Sequence, residues 1–162
     1  MARWSEVEHE VPELAQRAQK VFDAYKHKTL ATLRADGWPR VSGIEAEFWN
    51  GEVWLGSMPG SRKGADLHRD PRFALHSATA DAELTDGDAK LTGLAVVATR
   101  DEFTAYVKRL HDTADEVPEG DFDLFKVDAK ELVVVRIGEP ADHLVIETWR
   151  EGRHGLVRVE RR

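Results

Sequence analysis

Between Val11 and Tyr25 the apolar residues Leu14, Ala18, Val21, Phe22 and Tyr25 recur at three-to-four spacing, with charged residues between them. That period puts one buried stripe on a helix, and the pattern predicts an amphipathic helix over residues 5–27. Ser5 and Glu8 have capping-box spacing, and Pro12 suits the first turn of a helix that starts near Val11. The period then changes to two. Residues 29–35 and 38–49 alternate around Asp36-Gly37, a hairpin signal. In the second of these strands Val41, Gly43, Glu45 and Glu47 share one face, and Ser42, Ile44, Ala46 and Phe48 the other. Asn50-Gly51 makes another tight turn into Val53, Trp54 and Leu55, so three antiparallel strands joined by two-residue turns form a meander.

After this meander a small-residue turn (Gly56 to Ser61) runs into an Arg-Lys pair that opens a helix of one to two turns. Asp70-Pro71 closes that helix, and Phe73, Ala74 and Leu75 restart a strand that runs to about Ala78. Residues 79–87 read as a loop, 88–98 as a strand and 100–114 as a second helix with Phe103, Val107 and Leu110 on its apolar stripe. An acidic loop over 115–121 leads to strands within 122–137, at 143–149 and at 155–159. Roughly seven strands against two main helices, with no regular β-α alternation, predict a mainly β fold. The expected architecture is one domain over residues 1–162, an antiparallel barrel with flanking helices.

Composition narrows the class. A chain of 162 residues with 41% hydrophobic and 33% charged residues is long enough for one sizeable core and reads as soluble. The net charge of −7 argues against nucleic acid and anionic membranes as partners, while leaving room for one cationic pocket. The absence of cysteine removes disulfides, thiolate metal sites and cysteine nucleophiles, and fits a reducing compartment. The first residues lack the layout of a secretory signal, and no apolar run is long enough to span a bilayer, so the expected location is cytoplasmic.

The candidate chemistry centres on Ser61, Arg62 and Lys63. Cations at a helix start oppose the helix dipole unless an anion compensates them, and with hydroxyls and free N–H groups they make an anion site. The plain alternative is a solvated basic pair. Arg40, Val41 and Ser42 lie on the neighbouring strand, where a lone Arg commonly points to solvent. Trp149 ends a strand and suits either core packing or an aromatic wall for a planar ring. The seven histidines show no metal-ligand spacing, and no metal site is expected. No nucleophile elbow, dinucleotide fingerprint or P-loop occurs, and no side chain stands out as general acid or base. Any chemistry therefore falls to a bound cofactor.

Three segments, TLATLRADGWPRVSGIEAEFWNGEVWLGS, GSRKGADLHRDPRFALH and LVIETWREGRHGL, together resemble the pyridoxamine 5′-phosphate oxidase-like, FMN-binding split-barrel family. The resemblance implies a split β-barrel homodimer with flavin sites at the subunit interface and oxidoreductase activity on a small organic substrate. It implies that Ser61, Arg62 and Lys63 hold the FMN phosphate with Arg40, and that the Arg40–Val41–Ser42 segment lines the cofactor. Ser42 and Ser57 would touch the ring or ribityl chain, and Trp149 would reach it from the partner subunit. The Arg and His that grip substrate in the true oxidases are replaced by Gly155 and Val157, which counts against pyridoxamine-phosphate oxidation. Related split barrels use a deazaflavin coenzyme, and the phosphate-side residues admit it as an alternative. A non-enzymatic flavin-binding protein is the other reading.

Overall fold

The computed structural model describes residues 1–78, 84–113 and 120–162. Among them are eight strands, β1 (His27–Leu33), β2 (Pro39–Trp49), β3 (Glu52–Ser57), β4 (Arg72–His76), β5 (Asp88–Val97), β6 (Asp123–Ile137), β7 (Leu144–Arg150) and β8 (Val157–Arg161). The helices are α1 (Trp4–Glu10), α2 (Pro12–Asp23), α3 (Arg62–Arg69) and α4 (Arg100–Thr113). All pairings are antiparallel, in the order β3-β2-β1-β4-β5-β6-β7-β8. A second pairing of β3 with the start of β6 closes the first six strands into a barrel. β6 can serve three neighbours because it is 15 residues long and bulged opposite Thr92/Gly93. Its first turn of ladder closes the barrel, and its second half carries the β7–β8 hairpin outward.

The expected single N-terminal helix is two. Val11 leaves helical geometry at φ −138°, ψ 64°, and Pro12 starts α2 afresh, since its ring cannot continue α1. The start also differs from the Ser5/Glu8 expectation: Glu6 accepts from the Arg3 N–H at 2.7 Å, two residues earlier. α2 ends at Asp23, so Tyr25 lies outside the buried stripe and is exposed. Leu14, Ala18, Val21 and Phe22 do pack inward, with Leu30, Ile44, Leu55, Leu91, Leu132 and Trp149, in the main core. α4 covers the opposite side of β3 and β6, where Tyr106 and Leu110 pack with Trp54 and Leu124. The connection from β1 to β2 spans residues 34–38, longer than the two-residue turn expected; Asn50-Gly51 is the short one. The first part of the loop expected at 79–87, the end of the helix at 100–114 and most of the loop at 115–121 lie outside the described residues. No helix among the described residues is long and apolar enough to cross a membrane.

Two consequences of this topology matter for function. α3 crosses one rim of the barrel, beside the ends of β1, β2, β3 and β6. On the far side, the outer row of β6–β8 (Val133, Val135, Leu144, Ile146, Val157 and Val159) forms an apolar face. Val157 and Val159 on it are exposed, and no helix among the described residues packs on them.

Candidate functional site

α3 begins where the sequence demands it. Met58-Pro59-Gly60-Ser61 forms a turn closed by the Ser61 N–H on the Met58 carbonyl at 3.2 Å. Proline presets the second position and Gly60 takes φ 70°, open to glycine without strain. Ser61 is then extended and caps the helix: its Oγ accepts from the Gly64 N–H at 3.0 Å. Ser57, at the end of β3, places its Oγ 2.6 Å from that of Ser61 and so ties the cap to the barrel.

The cap satisfies the third N–H of the helix and leaves the first two, those of Arg62 and Lys63, with no acceptor among the described residues. The side chains of Arg62 and Lys63 make no ion pair among the described residues either. Arg62 is exposed and Lys63 half-buried. Two free N–H groups, two uncompensated cations and the positive end of a helix dipole therefore share one spot, which is the donor set of a phosphate site.

One turn later the same helix is saturated. Asp66, with 4% of its side chain exposed, accepts from Thr32 Oγ1 at 2.9 Å and Arg40 Nε at 2.6 Å. Arg69 Nη1 adds a contact at 3.3 Å and donates through Nη2 to the Leu33 carbonyl. Burial alone would raise the Asp66 pKa, but the hydrogen bonds from Arg40, Thr32 and Arg69 hold it below the usual carboxylate range. Arg40 thus points neither to solvent nor freely into the anion site; its side chain is clamped against α3.

Alternation along β2 sets the other positions. Arg40 and Ser42 lie on the row that continues into buried Ile44 and Ala46, whereas Val41 is on the outer row and 70% exposed. Arg40 and Ser57 therefore flank α3, which carries Arg62 and Lys63 behind its Ser61 cap; Ser42 lies two residues further along the Arg40 row of β2, and Val41 faces outward. Trp149 is not brought to them. It sits on the inner row of β7, only 1% exposed, and its indole N–H donates to Glu10 Oε2 at 2.6 Å. Within its own chain the ring packs in the core, and it also lines a cavity of about 340 Å³ together with Ser5, His9 and Glu10.

Sequence reasoning missed His68 and Asp123. His68 Nε2 lies 2.9 Å from Asp123 Oδ1, and Asp123 Oδ2 occupies the space beside Gly64 where a Cβ would come within 2.4 Å. Any side chain at position 64 would push the Asp123 carboxylate aside. The one local signal was Gly64 and His68 four apart on one helix face; Asp123 is 55 residues further on and is delivered by the β3–β6 closure. Among the described residues no cluster of His, Asp and Glu has the makings of a metal site.

Comparison with known proteins puts this geometry in context. The fold matches a pyridoxamine 5′-phosphate oxidase-related, FMN-binding protein from Nostoc punctiforme, at a TM-score of 0.68 and 12% identity, covering 100% of this chain and 98% of that one. It also matches an F420 reductase (TM-score 0.55, 18% identity, 71% and 94% covered). A heme binding protein from Mycobacterium smegmatis matches at a TM-score of 0.59 and 20% identity, covering 90% of this chain and 57% of that longer one. No functionally curated protein matches the sequence significantly. A family model for pyridoxamine 5′-phosphate oxidase matches residues 14–136, which takes in α3, β2 and the whole closed barrel, and the chain belongs to that family.

Proposed function

We propose that this protein binds FMN and works as an oxidoreductase on a small organic substrate. The observation that carries the reading is the unsatisfied start of α3. Its two N–H groups and the side chains of Arg62 and Lys63, without partners among the described residues, fit a terminal phosphate. A bound flavin would supply the hydride or electron transfer. The chain supplies placement. Arg62 and Lys63 hold the phosphate, Ser61 and Ser57 fix the cap beneath it, and Asp66 keeps Arg40 oriented at its edge. Ser42 and the Arg40–Val41–Ser42 backbone lie along the cofactor. The acting form is a homodimer without nucleic-acid or membrane partners, and the uncovered apolar row of β6–β8 is the surface that a second subunit would bury.

A second reading replaces FMN with a deazaflavin coenzyme. An F420 reductase shares the fold, and the α3 site is open to solvent at Arg62, which leaves room for a longer anionic tail. One experiment separates them: the absorption spectrum of the purified protein, with mass analysis of the released small molecule, then titration of the stripped protein with each coenzyme. FMN should co-purify or bind with quenching of its fluorescence. Binding of deazaflavin alone selects the second reading, and binding of neither would sink both.

A further inference from the structure

β1 carries a charge where its alternation calls for core. Lys28, Leu30 and Thr32 share the inward row, and Lys28 is 6% exposed. Burial lowers its pKa, and the nearby charges of Asp23, Glu47 and Glu45 act in the opposite sense. An ammonium has three donors, and this one uses a single hydrogen bond, to the Lys26 carbonyl at 3.1 Å. No carboxylate among the described residues lies within ion-pair distance of it. Asp23, at the end of α2, likewise makes no hydrogen bond or ion pair among the described residues.

Lys28 and Asp23 line the same cavity, of about 280 Å³. Its other charges are already matched, Lys26 with Glu45 at 3.3 Å and Arg109 with Glu47. What remains is one buried cation with open donors and, at the exposed edge of the same space, the solvated carboxylate of Asp23. Phe48 and Ala46 give that space an apolar wall. A buried charge left short of partners is costly, and a ligand carboxylate would relieve Lys28 while the ligand's positive group meets Asp23 at the rim. We propose that this cavity binds a small zwitterion of the α-amino acid class. Its carboxylate accepts from Lys28 Nζ, its ammonium donates to Asp23, and a short apolar side chain lies on Phe48 and Ala46.

Calorimetric titration of the full-length protein with glycine, L-alanine, L-valine and L-leucine tests this. One-to-one saturable binding is expected for at least one of them. The methyl ester and the N-acetyl derivative of the best binder should each bind at least about tenfold more weakly, since each removes one charge. Lys28→Met should raise the thermal midpoint, because the desolvated charge is gone, and should abolish binding; Asp23→Asn should weaken it by a similar factor. Absence of saturable binding across the four amino acids at millimolar concentration overturns the proposal. So does undiminished binding of the ester, or of the parent amino acid to a folded Lys28→Met protein.

Discussion

The two halves of α3 are built from similar residues and reach opposite outcomes. At Asp66 every strong group finds a partner: two arginines and a threonine converge on one carboxylate, and Arg69 goes on to a backbone carbonyl. At Arg62 and Lys63, one turn earlier, the cations and N–H groups have none among the described residues. A satisfied polar cluster at a barrel rim fixes structure, whereas an unsatisfied one of a single sign marks where a ligand completes it. The halves should therefore fail differently when cut.

The larger loss is at the satisfied end. Asp66→Ala strands Arg40 and Thr32 at a buried rim, and is expected to lower unfolding stability by about 3 kcal/mol. A urea melt checks this through its midpoint. The same carboxylate sets an acid response. Its folded pKa lies below the unfolded value, so the stabilisation is fully present above the unfolded pKa and is lost as pH falls through the folded one. Asp66→Asn should flatten that acid limb. A variant as stable as the parent, with an unchanged limb, would show that the cluster is idle.

At the unsatisfied end the expectation reverses. Arg62→Ala with Lys63→Ala should weaken FMN binding about a hundredfold, as two charge-assisted contacts are lost. Stability should stay within about 0.5 kcal/mol of the parent, because neither side chain has a hydrogen-bond or ion-pair partner to abandon among the described residues. Fluorescence titration and a urea melt on the same protein read both quantities. Equal FMN affinity would remove the phosphate from this site, and a large stability loss would erase the contrast between the halves.

How much of this the sequence carried follows from the range of the interactions. The meander, the small-residue turn before α3 and the Asp70-Pro71 stop are all local, and they were legible because each rests on neighbours a few residues apart. The period-two and period-3.6 patterns likewise gave the antiparallel barrel, and Pro12 marked the start of α2 near Val11, although the separate short helix α1 before it was not distinguished from α2. What was not legible is long-range. The Arg40 clamp needs Asp66, 26 residues on, and the Asp123 carboxylate reaches Gly64 only because β6 closes the barrel on β3. Trp149 is another case: its hydrogen bond to Glu10, 139 residues earlier, exists only because α1 folds over β7.

The smallest effect belongs to Ser61, which serves both halves. Its Oγ caps the helix, so Ser61→Ala should cost about 1 kcal/mol of stability. It also stands beside the free N–H groups, so the same change should weaken FMN binding severalfold. Ser57→Ala separates the two roles, since it deletes the 2.6 Å contact to Ser61 Oγ while leaving the cap hydrogen bond to Gly64 in place. If the Ser57 contact only braces the fold, its removal lowers stability and leaves flavin affinity alone. If it holds the Ser61 hydroxyl in line with the phosphate, affinity falls in Ser57→Ala with stability nearly unchanged. The second outcome is the expected one, because the cap itself survives, and the two measurements on one variant decide between them.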